Sequence, residues 1–397
     1  MGFDKYKYTF EMSYVDTQKL TATIIRTENI HSVIIDRDYK SANMPTMIAN
    51  VSLDRRLIDD MILNSSQNLI NVTCYKFICN NDMGGIKEVY FREQFAYFLT
   101  EDINYNDDID YAADNADRKD LHKTINIGLM KMDSINKNKQ TTNMVLNYTT
   151  MMSAVSMVTS HLPILIEKFD YNNLINQIVV PPLTSVSKTI AYLNKIAVFY
   201  SRKYRFFIDY DCAYLLSSKG LPVLKSGDSM KAVLIVVSKP NEDSSNIEGM
   251  YTNKSQKNYQ INVNSNDTVV NNNKVLEKSF TAISGIATSG KTGDENLDVN
   301  VSQYSTDKTE LARIPNDNKN MISNIKFDRE GLVTQVYINK DGIDSSVLTM
   351  NKEYIIRNYD KYSDKDGRFL LNRKLELFMA EDDAFALSTS LYFEIVK

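Results

Sequence analysis

The hydrophobic and polar pattern of this chain predicts strands chiefly in its two end regions, residues 1–100 and 321–397. Alternation marks a half-buried strand because successive side chains point to opposite faces. Near the start, Leu20 to Ile25, Val33 to Ile35 and Thr46 to Leu53 are β-branched runs. Asp54 then caps a short helix with Leu57, Ile58 and Met61 on one face. Ile70, Val72 and Cys74 alternate with Asn71 and Thr73; the stretch Asn81 to Gly85 supplies a hairpin turn, and Ile86 to Leu99 returns as a long strand. These elements predict a small β-barrel or sandwich over residues 1–100.

The pattern changes in the middle. Met144 to Tyr148 leads into a helix from about Thr149, the first of two strand-to-helix steps. Ile178 to Val180 is a short apolar strand that Pro181-Pro182 is expected to stop, since proline cannot donate a ladder hydrogen bond. Ser185 then reads as an N-cap, with Val186, Ile190, Leu193 and Ala197 at helical spacing. Two β-prone runs, Arg205 to Asp209 and Ala213 to Ser217, follow around a tight polar turn. Residues 144–225 are thus expected to be a small α/β unit.

The order of words in this unit, PLTSVSKTIAYLN, then FYSRKYRFFIDYD, then YLLSSKG, preceded by VLNYTTMMSAVSMV and SHLPILIEKFDYN, resembles the small α/β subdomain of baseplate hub proteins of contractile-tailed bacteriophages. The resemblance implies two tail-tube-like β-barrels flanking that subdomain. It also implies a homotrimer that joins a sixfold tail tube to a threefold central spike, in the manner of the related type VI secretion spikes. Expected partners are the tail tube, central spike, and tape measure or baseplate wedge proteins, with the protein located in the virion tail. No spike or lysozyme domain is read after the second barrel, so the spike is expected on another chain.

The flanks fit such an arrangement. Residues 101–143 begin with the acidic run EDINYNDDIDYAADNADRKD and read as a polar linker. That run lacks the mid-loop glycine and terminal bidentate Glu of a calcium-binding EF-hand. Ala232 to Val237 opens residues 226–320, which are rich in Asn, Ser, Asp and Lys and read as a polar, loop-rich lobe. Residues 321–397 turn β-rich again. Asn324 to Phe327, Val333 to Ile338, Val347 to Met350, Tyr354 to Asn358, Phe369 to Met379 and Leu391 to Val396 predict a second barrel closed by the last residues. There Leu375, Leu377 and Met379 share one face, as do Leu391, Phe393 and Ile395. The fold class is mainly β with α+β.

Composition narrows the function. A net charge of -4 argues against nucleic acid as the main partner, since phosphate binding needs clustered Lys and Arg. Cys74 and Cys79, five apart in one strand, and the distant Cys212 make no disulfide framework and read as reduced thiols. No run reaches the roughly 18 apolar residues that cross a bilayer, and the N-terminus has no signal-type apolar core. A soluble protein made in a cytoplasm is expected.

One motif reads as chemistry. Residues 285–292, GIATSGKT, match the phosphate-loop pattern letter for letter. A working loop hands phosphate to a following helix, whereas Gly293 to Asn300 has no apolar face and places acids at that position. A Gly/Ser/Thr-rich loop is predicted there, with NTP binding as the rival enzymatic reading. His31, His122 and His161 show no metal-ligand spacing, and acid pairs such as Asp59-Asp60 and Asp382-Asp383 read as solvated. No catalytic, cofactor-binding or metal-ligating residue is assigned, and the protein is expected not to be an enzyme. A tail fibre or receptor-binding protein would also be β-rich, but fibre shafts carry repeats or long glycine-rich stretches, and 13 Gly are too few.

Overall fold

In the computed structural model, residues 5–40, 42–65, 67–80, 83–99, 122–200, 204–217, 232–238, 249–251, 258–264, 268–271, 333–339, 343–358 and 367–396 are described. The chain opens on β1 (Lys5–Asp16), in which Tyr6, Tyr8, Phe10, Met12 and Tyr14 are buried and the residues between them face outward. This alternation is as regular as any in the sequence. There follow β2 (Thr21–Ile25), β3 (Ile30–Asp38), β4 (Thr46–Asp54), α1 (Arg55–Leu63), β5 (Leu69–Asn80), β6 (Met83–Leu99) and β7 (His122–Lys131). Asp54 caps α1 as expected, its carboxylate accepting from the Arg56 amide at 2.7 Å. Ile58 and Met61 turn into the core.

The α/β unit comprises α2 (Met132–Lys139), β8 (Thr141–Thr150), α3 (Met151–Val158), β9 (Ile164–Ile166), β10 (Leu174–Ser185), α4 (Val186–Ile196), β11 (Tyr204–Ile208) and β12 (Ala213–Ser217). β8 and β10 form a two-stranded ribbon, and β9, β12 and β11 a three-stranded sheet. β10 runs straight through Pro181-Pro182; the prolines coincide with a register shift between Val180 and Thr184 rather than with the expected end. All of β12 is buried because both of its faces are covered. Ala213 and Leu215 join the unit's own core, while Tyr214 and Leu216 join the core of the sheet beyond it.

The remaining strands are β13 (Ala232–Ser238), β14 (Gly249–Tyr251), β15 (Asn258–Asn264), β16 (Thr268–Asn271), β17 (Val333–Asn339), β18 (Glu353–Asn358), β19 (Gly367–Glu381) and β20 (Ala384–Val396). Eight strands close a barrel in the order β19-β3-β4-β7-β6-β5-β1-β20, with β20 pairing back to β19. Eight strands enclose a lumen that side chains just fill. Here Phe10, Phe378 and Phe385 meet edge to face at 5.1 Å, and Tyr8 meets Phe378 at the same distance. The first barrel is therefore not contained in residues 1–100. Closing it takes β7 from the expected linker and the last hairpin of the chain, because residues 1–100 supply only β1, β3, β4, β5 and β6 to the ring, with β2 pairing β1 outside it.

That last hairpin also carries a second sheet, ordered β14-β15-β13-β18-β19-β20-β17-β16. β13 pairs in parallel with both β15 and β18. Strands from the expected polar lobe thus lie at its centre: Val233, Ile235, Val237, Tyr259, Ile261 and Val263 are all buried there. The apolar run Ala232 to Val237 is legible in the sequence, but the average composition of residues 226–320 hid the central place of these two strands in a sheet. The predicted strand Val347 to Met350 is instead part of a tight turn that follows the 3-10 segment Ser345–Val347. The expected strand Asn324 to Phe327 lies outside the described residues.

Candidate functional site

The most unusual local chemistry is a cluster of buried charges where the barrel, the second sheet and the α/β unit meet. It is built by a change of facing within β19. In the Gly367–Leu371 half, Phe369 and Leu371 point into the second core. At Asn372 the pairing with β20 skips one residue, Leu371 opposing Phe393 and Arg373 opposing Tyr392. The extra residue reverses which side chains face in. Beyond it Lys374, Glu376 and Phe378 are buried, while Leu375, Leu377 and Met379 turn outward. The face those three apolar residues share is therefore the outside of the barrel, the reverse of what an apolar set suggests.

Glu376 is wholly buried and held from four directions. Arg37 on β3 pairs with it through Nη1, and Lys374 lies at 3.0 Å. Tyr90 on β6 donates at 2.8 Å, and Ser345, in the turn before β18, donates at 2.5 Å. Burial alone would raise this carboxyl; the Arg37 and Lys374 charges, with the two hydroxyls, overcome it and hold the pKa down to about 2. Burial lowers the Lys374 ammonium, opposed by Glu376; that ammonium also donates to the Ser345 carbonyl at 2.6 Å.

The α/β unit enters through the β11–β12 turn. Asp209 accepts from Arg37 Nε at 3.1 Å, and the Arg37 guanidinium lies 5.1 Å from the centre of the Tyr210 ring. Tyr210 packs against Phe91 and Phe95 of the barrel, and its carbonyl accepts from Lys131 at 2.6 Å. A second ion pair, Lys76 to Asp344 at 3.3 Å, ties β5 to the turn at residue 345. Beside these groups lies a cavity of about 310 Å³, lined among others by Arg37, Lys76, Lys374, Asp209 and Tyr210. The Tyr210 hydroxyl is buried and has no hydrogen-bond partner among the described residues.

This arrangement couples three structural units through one carboxylate; every charge in it faces an opposite one. The buried Cys74 thiol nearby is pushed up by desolvation and stays protonated. Among the described residues no group of three or more His, Cys, Asp or Glu could hold a metal ion, and no helix is long and apolar enough to cross a membrane. The histidines take local roles, His31 bonding to Ser52 at 2.6 Å and His161 to the Lys137 carbonyl at 3.3 Å. Asp60, of the first acid pair, accepts from Tyr14 at 2.6 Å, and Asp382 sits at positive φ in the β19–β20 turn. The phosphate-loop match at 285–292 and the acidic run from Glu101 lie outside the described residues. Sequence reasoning missed the junction because Arg37, Glu376 and Asp209 are far apart in the chain. The local signal was the alternation of Lys374 and Glu376 with Leu375 and Leu377 in β19.

The eight-stranded barrel, with the α/β unit and the charged cluster beside it, defines a mainly β protein. The chain belongs to the family described as Bacteriophage PBS1 gene 109 protein, whose model matches residues 5–395. Solved structures similar to the chain include a tail protein from Neisseria meningitidis MC58, at 9% identity over 98% of this chain and 96% of that one, with a TM-score of 0.42. A 43 kDa tail protein of prophage MuSo2 from Shewanella oneidensis is similar at 10% identity over 96% of each chain, also with a TM-score of 0.42. A Francisella PdpA-VgrG complex, half-lidded, is similar at 9% identity over 99% of this chain and 58% of that one, with a TM-score of 0.41. A comparison with curated proteins finds no match.

Proposed function

We propose that the protein is a structural component of a bacteriophage tail: a baseplate hub whose three copies join the sixfold tail tube to the threefold central spike. The observation that carries this reading is the continuous β19–β20 hairpin, shared by a closed eight-stranded barrel and a second eight-strand sheet. A pair of β units made rigid by common strands and a buried ionic joint is what an adaptor under ejection load requires. Three copies offer six such units to a sixfold ring, and closed rotational symmetry leaves no free edge. Membership of a bacteriophage family supports a place in the virion, and the words of residues 145–220 resemble the hub subdomain. In this reading the protein is not an enzyme, takes no cofactor, and works through extended surfaces.

Light scattering on the purified protein, alone and with tail tube and spike partners, tests the proposal. A trimer is expected, either free or formed on the spike; a stable dimer or hexamer would overturn it. The rival NTP-binding reading through residues 285–292 is tested by calorimetry. ATP and GTP should give no heat of binding with the wild type or with Lys291→Ala, and binding abolished by that substitution would replace the hub reading.

A further inference from the structure

The outward turn of Leu375, Leu377 and Met379 is not isolated. Following the register around the barrel, Leu377 on β19 lies beside Ile34 on β3, Ile34 beside Ile48 on β4, Ile48 beside Gly128 on β7, and Gly128 beside Phe98 on β6. All face outward, so a single apolar row crosses five strands. Gly128 serves this row: a Cβ there would lie 2.3 Å from the Phe98 ring, so glycine lets the ring lie over the strand. Ile48, Phe98 and Met379 remain 37%, 46% and 47% exposed, so nothing among the described residues covers them. The row has the anatomy of an interface centre with polar flanks. On one side Arg373 pairs with Asp36 at 2.6 Å, and on the other Asn50 bonds to Asn126 at 2.7 Å.

A second apolar surface of different shape stands on the α/β unit. The β8–β10 ribbon contains no Asp, Glu, Lys, Arg or His in either strand, and neither outer edge is paired among the described residues. Val145 and Val179 oppose each other across the ribbon and are half exposed. Tyr148 then takes positive φ, and the facing changes: Thr149 is buried and Ile175 packs on the core, while Tyr148 and Leu174 are exposed. The outward side thus carries Val145 and Val179 at one end and Tyr148 and Leu174 at the other, with the exposed amides Gln177 and Asn147 bonded to each other at 3.3 Å between them. Natural proteins guard free edges with charges or cover them. This ribbon has no charge to guard it.

We infer that the β8–β10 ribbon of one copy packs across the outer apolar row of the first barrel of the next copy. One chain bearing two unlike, uncharged apolar surfaces meets the requirement for a head-to-tail contact, in which different patches on identical chains meet and a ring can close. An uncharged ribbon suits a row whose centre holds no charge, since a partner charge would be desolvated without compensation. The dimensions agree. Four inter-strand steps make the row about 19 Å long, and five residue steps from Val179 to Leu174 span about 17 Å, so the ribbon fits when it crosses the barrel strands near a right angle. The contact is argued from these surfaces; only the number of copies in the ring rests on the hub reading.

The test uses two double variants of the full chain at half-exposed positions, Ile48→Glu on the row with Met379→Glu next to its Leu377 end, and Val145→Glu with Val179→Glu on the ribbon. Each should keep the wild-type circular dichroism and thermal midpoint while weakening self-association at least tenfold by light scattering. Mixed together, the two variants should form a heterodimer, because one intact row then meets one intact ribbon, and should go no further. Self-association of the wild type that survives in either variant, or a mixture that fails to pair, overturns the assignment. So does a wild type that stays monomeric with its tail partners, or variants that lose a different tail protein while still self-associating. Loss in both variants of a wild-type assembly that is not a trimer would keep the contact and overturn the hub reading.

Discussion

The two halves of the last hairpin are covalently one element and physically two. From Gly367 to Leu371 β19 is an ordinary core strand, with Phe369 6.3 Å from Phe393 and Tyr354 packed on Phe393 at 5.0 Å. From Arg373 onward the same strand buries Lys374 and Glu376 and shows its leucines to solvent. In the first half burial of apolar area does the stabilising, about 25 cal/mol per Å². In the second, stability depends on matched charges, and a buried pair is worth little while whole but is costly to break. The difference teaches that the second sheet can tolerate apolar repacking, whereas the barrel joint tolerates no unmatched group.

Deleting Asn372 should have the largest effect. Without the extra residue, β19 would send Leu375 and Leu377 inward and Lys374 and Glu376 outward, or else lose its pairing with β3. Loss of the cooperative unfolding transition is expected, and a folded deletion variant would break the comparison. Phe393→Asp comes next. It places a charge at a wholly buried site of the apolar half and should cost at least about 4 kcal/mol in denaturant unfolding.

Arg37→Ala tests the charged half. It leaves Glu376 buried beside Lys374 alone and frees Asp209 from its partner, with an expected loss of about 3–5 kcal/mol. The acid response sharpens the same point. A carboxyl whose folded pKa is depressed stabilises the protein above its unfolded value and loses that contribution as pH falls toward the folded one. Glu376, held down to about 2 from 4.5, should therefore withdraw up to about 3 kcal/mol between those pH values. Denaturant titrations should show this acid loss in the wild type and a shallower one in Glu376→Gln. An unchanged slope would mean that Glu376 is not the group responsible. Smallest of all is Tyr210→Phe, which removes a hydroxyl that has no partner among the described residues and keeps the ring against Phe91 and Phe95. A change within about 0.5 kcal/mol is expected, of either sign.

Much of the local structure was legible in sequence. The Asp54 cap, the helix after Ser185, the β11–β12 hairpin and the strands β2, β3, β4, β5, β6, β17, β18, β19 and β20 follow from period, caps and turn residues, which act over a few positions. Even β1, whose Tyr6, Tyr8, Phe10, Met12 and Tyr14 alternate with polar neighbours, could have been read directly. The apolar runs of β13 and β15 were visible too, but the polar residues around them masked their place at the centre of a sheet.

What only the tertiary structure decided was partnership and facing. No local pattern says that β7 and the final hairpin close the first barrel, because strand pairing joins residues hundreds of positions apart. Nor could the pattern assign sides in β19. Leu375, Leu377 and Met379 make an apolar set that, by transfer energy alone, belongs inside. One extra residue at Asn372 and two oppositely charged partners of Glu376, Arg37 and Lys374, reverse that preference. The sequence determined which residues alternate; long-range charge pairing and a single bulge decided which of the two faces became the core.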